Sequence, residues 1–231
     1  MPAPFLSVII PTLNEGAQIR SRLNALQALR GRATLLLVDG GSDDDTVEQA
    51  LPLVDQLIDA PRGRALQMNA GAAASRGEVL LFLHADTSLP ASAAGDIEAA
   101  IDAGAQWGRF DVRIEGTHRL LLLVARLMNW RSRRSQIATG DQAIFVRRDL
   151  FERVGGYPEQ ALMEDIALCR RLKRFAAPAC LRACAVTSGR RWEKHGVLPT
   201  IVLMWRLRAA YFFGADPDQL AVRYGYAPRQ R

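Results

Sequence analysis

The sequence predicts an α/β fold on a mostly parallel central sheet, and three observations predict it. Short, wholly apolar runs alternate with runs of helical periodicity through the first hundred residues. Strands without a polar face suit a sheet covered on both sides. Polar residues cluster just after these strands: Thr12 and Asn14, then Asp39, then His84 and Asp86. Open α/β sheets bind ligands there, at the carboxyl ends of their strands.

Residues 5–10 are apolar and β-branched and stop at Pro11, which reads as the first buried strand. Residues 15–29 place Ile19, Leu23, Leu26 and Leu29 at helical spacing before Gly31. Residues 34–38 form a second buried strand, followed by a Gly40-Gly41-Ser42 turn. Residues 43–51 read as a helix with acids in its first turn, where the helix dipole favours them. Residues 56–59 suit a short strand, 64–75 an alanine-rich helix closing at Gly77, and 78–83 a further buried strand. Residues 107–115 alternate and read as a strand, and 118–130 as an apolar helix. A strand at 143–146, a short helix from Asp149 to the Gly155-Gly156 pair, and helices at 164–175 and 197–213 complete the pattern. No repeat or linker interrupts it, so one domain over 1–231 is expected.

Composition is ordinary for a globular chain of 231 residues, with 49% hydrophobic and 23% charged residues, which excludes disordered and collagen-like classes. Net charge is +6, and Lys173 and Lys194 are the only lysines. Arginine suits bidentate contacts with phosphate and carboxylate. Only Arg131-Ser132-Arg133-Arg134 forms a basic block, and it lacks the interleaved aromatics of a nucleic-acid surface, so no nucleic-acid partner is expected. Cys169, Cys180 and Cys184 give neither a disulfide framework nor a zinc site. With a start unlike a signal peptide, this points to a reducing cytoplasm.

The motifs carry more. They are PTLNE at 11–15, VDGGSDDDT at 38–46, GRALQMNAGA at 63–72, LFLHADT at 81–87, TGDQAIFVRR at 139–148, MED at 163–165 and RRW at 190–192. Together and in this order they resemble the family 2 glycosyltransferases of the GT-A fold. GRALQMN, LFLHADT, TGDQ and LMED are most similar to a small bacterial subgroup linked to arsenosugar biosynthesis. The resemblance implies a Rossmann-like nucleotide-diphospho-sugar transferase fold. Residues 1–104 would form a nucleotide-sugar-binding half and 105–231 an acceptor-binding half. It further implies a metal-dependent, inverting hexosyltransferase that moves sugar from a nucleoside diphosphate donor, UDP-type favoured, to a hydroxyl acceptor, small molecule or lipid.

Site residues follow from the same resemblance. Pro11, Thr12, Asn14, Glu15, Asp39 and Asp44 would face the nucleoside. By the residues alone, an aspartate such as Asp39 also caps the turn before a helix. Position 45 holds Asp where the family has Gly. Arg64 would clamp the diphosphate at a helix start, with Asn69 further along, while Met68 reads as core. His84-Ala85-Asp86 matches the family's DXD motif, with His in the first place. Asp86 is then the ligand of Mg²⁺ or Mn²⁺, the implied cofactor, with His84 and His195 as secondary candidates. Gly140, Asp141, Gln142, Glu164, Arg191 and Trp192 would sit on the acceptor side. Asp165 would be the general base. Ser188 stands where processive members carry Gln, which speaks against polymer synthesis.

The apolar segments 118–130 and 197–213 admit three readings: core helices, a homodimer contact, or peripheral contact with a bilayer. The second is too short to span and nearly apolar all round, which predicts a buried packing helix. Two other function classes compete. A sugar-1-phosphate nucleotidyltransferase would need a glycine-rich loop after the first strand, where this chain has PTLNE. A non-catalytic nucleotide-sugar binding protein would not need both Asp86 and Asp165.

Overall fold

The computed structural model describes residues 4–226. Its first part alternates β1 (Leu6–Thr12), α1 (Gly16–Leu26), β2 (Ala33–Asp39), α2 (Thr46–Ala50), β3 (Gln56–Asp59), α3 (Arg64–Ala74) and β4 (Val79–Phe82), then adds β5 (Thr87–Ser88) and α4 (Ala93–Asp102). The second part comprises β6 (Trp107–Ile114), α5 (Leu120–Ser135), β7 (Ile144–Arg147), α6 (Arg148–Arg153), α7 (Glu164–Leu172), β8 (Ala179–Thr187), α8 (Arg190–His195), α9 (Val197–Phe212) and α10 (Pro217–Tyr224).

One sheet runs through both parts in the order β3-β2-β1-β4-β7-β6-β8-β5. β3, β2, β1 and β4 are parallel. β7 is antiparallel to both β4 and β6, β8 is parallel to β6, and β5 is antiparallel to β8. The mostly parallel expectation therefore holds in the first half, and the second half is mixed.

The apolar strands still obey a period of two. Leu6, Val8 and Ile10 join Leu35, Leu37, Val79 and Leu81 against α1 and α4 on one face. Ile9, Val38, Leu80 and Phe82 meet α3, α6 and α7 on the other. Both faces are covered, so the strand interiors stay apolar, with buried Ser7 the exception in β1, where its hydroxyl meets Thr34 and accepts from the Gly77 N–H. Met68 is buried in the second cluster, as expected. Gly71 brings α3 close to the sheet: a Cβ there would lie 2.5 Å from the Ile9 methyl and 2.9 Å from that of Val38.

Several elements depart from the sequence reading. The helix expected over 43–51 begins at Thr46, because Asp44 ties down the preceding turn. The sequence reading assigned no element to α4, β5, β8, α8 or α10, although Ala93, Ala94, Ile97 and Ile101 stand at helical spacing in α4 and are buried there. The main correction concerns the last apolar helix. Of α9 only Val197, Thr200 and Leu207 are buried, so it is not the packed core helix that its composition predicts. Among the described residues, no helix is long and apolar enough to cross a membrane.

Candidate functional site

β1, β2 and β4 are adjacent and parallel, so their carboxyl ends share one edge of the sheet, where two loops are tied together. Asn14 adopts a left-handed conformation at φ 54°. Its side-chain oxygen accepts from the Asp43 N–H at 3.0 Å, and its own N–H donates to Ser42 Oγ at 2.9 Å. Asp39, buried at the end of β2, accepts from the N–H groups of Gly41 and Ser42 at 2.9 and 2.8 Å. The turn-capping role of Asp39 is thus present in the structure.

Asp44 accepts from the Gly16 N–H and from the backbone and hydroxyl of Thr46. The Thr46 hydroxyl bond is the main cause of its lowered pKa. These bonds clasp the β1–α1 loop to the start of α2. Asp45 needs no glycine-like backbone, since its φ is −79° and the positive φ falls at Gly41. Glu15 donates its N–H to Thr46 Oγ1 and accepts from Arg190 at 2.9 Å. Pro11 and Thr12 end β1, where Thr12 is buried.

Gln67, which the sequence reading passed over, joins these strand ends. Its amide donates to the carbonyls of Thr12 and Val38 at 2.7 and 2.8 Å. The signal was present, since the residue lies inside GRALQMN and is a polar side chain on the buried face of a helix.

Four further segments meet around Arg64 and Asp165. Arg64 opens α3 after Gly63 and donates to Glu164 at 3.1 Å and to the Tyr226 hydroxyl at 2.5 Å. Glu164 and Asp165 open α7 behind Met163, whose φ of 64° is left-handed for a non-glycine residue. Ala143, at φ 47°, closes the turn of Gly140–Gln142. Such conformations cost of order 1–3 kcal/mol each and concentrate at functional sites. Among the described residues, three of the four non-glycine residues with positive φ, Asn14, Ala143 and Met163, stand in or beside the PTLNE, TGDQ and MED motifs.

Asp165 accepts from the Gly140 N–H at 3.0 Å and from the Ile166 N–H at 2.7 Å. Burial, and next the charge of Glu164, raise its pKa to about 6 against the two backbone bonds and Arg64. His84, after β4, packs its ring on Gly140, where a Cβ would lie 2.1 Å from Nε2. Its Nδ1 lies 3.4 Å from Asp141 Oδ1. Burial works against the charge of Asp141, but the His84 bond, its charge and that of Arg64 hold the carboxyl below its usual value. Asp86 is partly exposed, and its carboxylate accepts only a 3.3 Å bond from Thr87. Ala85 between them is buried. Arg131 also reaches this region: burial lowers its pKa, while the charges of Asp165 and Asp141 oppose the shift.

Several of the expected site residues have side chains engaged within the fold. Glu164 is buried and paired with Arg64. Gln142 is buried and closes a capping box with Thr139. Both polar atoms of the Asn69 side chain bind the backbone of Tyr157 at 2.9 Å. Trp192 packs in the cluster shared by α5 and α9. Arg191 stacks on Tyr224, 3.6 Å from the ring centroid, and donates to its carbonyl. His195 is exposed and lines a cavity of about 370 Å³ with Arg191, Arg223 and Tyr224, whose walls do not include Asp86.

Residues 7–155 match the family model described as Glycosyl transferase family 2. The chain belongs to that family. Across 238 residues this family 2 chain is 26% identical to a probable glycosyltransferase, YdaM, of Bacillus subtilis, covering 91% of the chain and 55% of the relative. It is 42% identical over 97 residues to a PGL/p-HBAD biosynthesis glycosyltransferase of Mycobacterium bovis, a match that covers 38% of each. The chain thus spans about half or less of the length of these relatives.

Among solved structures, it is similar to the mannosyltransferase PcManGT of Pyrobaculum calidifontis in complex with GDP-Man and Mn²⁺. That match has a TM-score of 0.67 at 20% identity and covers 99% of this chain and 67% of the other. Glucosyl-3-phosphoglycerate synthase of Mycobacterium tuberculosis, in complex with Mn²⁺, UDP and glucosyl-3-phosphoglycerate, matches with a TM-score of 0.61 at 20% identity. It covers 80% of this chain and 72% of the other. The fold is GT-A.

Glu164 carries one testable consequence within this geometry. Glu164→Gln removes the second-largest cause raising the Asp165 pKa and leaves Arg64 without its carboxylate. Titration of Asp165 by carboxyl-detected NMR should show its midpoint moving down from about 6. Breaking a buried pair from one side should also cost about 3 kcal/mol in a denaturant melt. An unchanged midpoint would mean that the Glu164 charge does not act on Asp165.

Proposed function

We propose that the chain is a metal-dependent, inverting glycosyltransferase. It moves a hexosyl unit from a nucleoside diphosphate sugar, UDP-type by the sequence resemblance, to a hydroxyl acceptor. The observation that carries this reading is Asp165 beside the Arg64–Glu164 pair, its carboxylate held by the Gly140 N–H and raised to about 6. A base with that value is mostly ionised at neutral pH and still accepts a proton readily.

In this reading residues 1–104 bind the donor and 105–231 the acceptor. Asp39 and the Asn14–Ser42 loop flank the nucleoside. Arg64, one-third exposed on its side chain, presents positive charge at the start of α3, where backbone N–H groups also favour a diphosphate. Asp165 takes the proton of the acceptor hydroxyl as its oxygen attacks the anomeric carbon. The bond from that carbon to the diphosphate breaks on the opposite side, so configuration inverts. Asp141 and Arg131 border the acceptor.

Asp86 fits a hard divalent cation. Its carboxylate is partly exposed, carries one long internal bond and makes no ion pair among the described residues. No group of three or more His, Cys, Asp or Glu side chains is placed to hold a metal by itself among those residues. That suits an ion drawing most of its oxygen ligands from diphosphate and water. Bound there, Mg²⁺ or Mn²⁺ would neutralise charge on the departing diphosphate. His84 faces Asp141, which makes it a neighbour of this site and not its leading ligand.

The loop after β1 argues against a nucleotidyltransferase, because it is short and pegged to Ser42 and Asp43. The names of the relatives support sugar transfer and do not repeat the arsenosugar link, so the acceptor is proposed only as a hydroxyl. A thermal-shift screen of UDP-, GDP- and TDP-sugars with Mn²⁺ tests the reading. A ligand at about 100 times its Kd should add roughly 2.7 kcal/mol. Release of nucleoside diphosphate should follow when acceptor is supplied. Binding without any release under all acceptors would favour a non-catalytic binding protein; pyrophosphate release from a nucleoside triphosphate would favour a nucleotidyltransferase.

A further inference from the structure

Most large hydrophobic side chains that stand exposed among the described residues lie on α5 and α9. On α9 they form one stripe. At about 100° per residue, positions 198, 202, 205, 209 and 212 fall within a wedge of roughly 80°. Trp205 is 69% exposed and Phe212 76%, while Leu207 on the opposite side is buried at 2%. By the same arithmetic Arg206 and Arg208 flank the stripe, one on each side. The helix is apolar on its buried side as well, which is why composition alone reads as core.

α5 shares a hydrophobic cluster with the start of α9, through Leu121, Val124 and Ala125 against Val197 and Ile201. Its outward face shows Leu123, Leu127 and Trp130 among arginines. The two helices carry no carboxylate and six arginines; Arg131 turns toward Asp165 and Asp141 and Arg133 pairs with Asp111, which leaves Arg126, Arg134, Arg206 and Arg208 without an ion-pair partner among the described residues.

We infer that the α5–α9 face docks on an anionic lipid surface. Exposed apolar residues need a partner that excludes water. Tryptophan suits the boundary between headgroups and acyl chains, and arginine stems lie along apolar surface while their heads reach phosphate. A helix with an apolar stripe and flanking cations lies in the interface plane and does not cross it. A second copy fits less well, because a two-fold contact would set arginines of the same sign against each other without an acid on either helix. The net charge of +6 adds to the attraction. The inference rests on exposure and charge and is independent of the transferase reading.

The test is sedimentation of the full chain with vesicles of phosphatidylcholine alone and of phosphatidylcholine with about one-third phosphatidylglycerol. Partition into the anionic vesicles should be stronger by about tenfold or more, fall with added salt, and shift tryptophan emission to the blue. Trp205→Ser with Phe212→Ser should abolish the binding, and Arg206→Gln with Arg208→Gln should remove the anionic preference. All four sites are surface positions, so melting temperatures should stay near that of the parent chain. Failure to sediment with anionic vesicles overturns the inference, as does undiminished binding by Trp205→Ser with Phe212→Ser. A dimer in analytical ultracentrifugation that those substitutions split, without vesicle binding, would assign the face to a second copy.

Discussion

Asp165→Asn should cut turnover by about 10²–10⁴-fold, the usual contribution of a positioned base, with donor affinity nearly unchanged. Asparagine keeps one of the two side-chain oxygens, so of the Gly140 N–H on Oδ2 and the Ile166 N–H on Oδ1 one keeps its acceptor and the other loses it, as in the protonated acid. The Ala143–Gly140 and Ala167–Met163 backbone bonds hold the turn and the α7 start in place. What it loses is the ability to take the acceptor's proton. In the parent chain the same chemistry sets the pH profile. Activity should fall as pH drops through about 6, where Asp165 becomes protonated. Single-turnover rates at saturating donor separate this limb from donor binding.

The same substitution should raise stability. The folded-state pKa of Asp165 lies above its ordinary 3.8, so the native state holds the proton more tightly than the unfolded chain. Its favourable contribution is full below the unfolded value and is lost as pH rises through about 6. At neutral pH the ionised carboxylate then costs up to about 3 kcal/mol, which asparagine removes. Denaturant melts should show Asp165→Asn above the parent at pH 7.5 and close to it near pH 4. Near-parental turnover, with loss of activity in Glu164→Gln instead, would exchange the roles of the two acids.

The first half was readable because its physics is local. Each strand is a short apolar run, each ends in a turn residue with its own conformational signature, and each places a polar side chain at the same sheet edge. Asn14, Asp39 and Arg64 are legible for that reason. The second half depends on long-range pairing. β8 pairs with β6 across some seventy residues of sequence, with a register shift at Phe110/Asp111, and no local pattern encodes that.

The same distinction separates motif residues whose side chains stay available from those that are tied up within the fold. Asp165 and Asp86 keep carboxylates with few internal partners, or with backbone partners only. Glu164, Gln142 and Asn69 sit in the same motifs, yet their side chains are consumed by Arg64, Thr139 and Tyr157. A motif names neighbours of the cleft, and burial decides which of them face it. The contact of Tyr226 with Arg64 lies 162 positions away in sequence, so nothing local announces it.

Asp86→Ala should abolish the Mn²⁺ dependence of nucleoside diphosphate binding and leave the fold intact. The fold argument rests on the backbone. The Asp86 carbonyl accepts from the Ser188 N–H at 3.2 Å, and Ala85 is buried, so the strand end is anchored without the carboxylate. The side chain itself contributes only the 3.3 Å bond from Thr87, so the melt without ligand should move by no more than about 0.5 kcal/mol. The binding argument rests on charge. A divalent ion held by Asp86 and a diphosphate would lose its carboxylate when Asp86 goes, while Asp141 is held by His84 and Asp165 by backbone N–H groups. Calorimetry with UDP should therefore show a Mn²⁺-enhanced affinity in the parent chain and the same weak affinity with or without Mn²⁺ in Asp86→Ala. His84→Ala should retain most of the enhancement, since that ring faces Asp141. If Asp86→Ala keeps the full Mn²⁺ effect and His84→Ala loses it, the ion sits on the histidine side of the motif and Asp86 is a bystander.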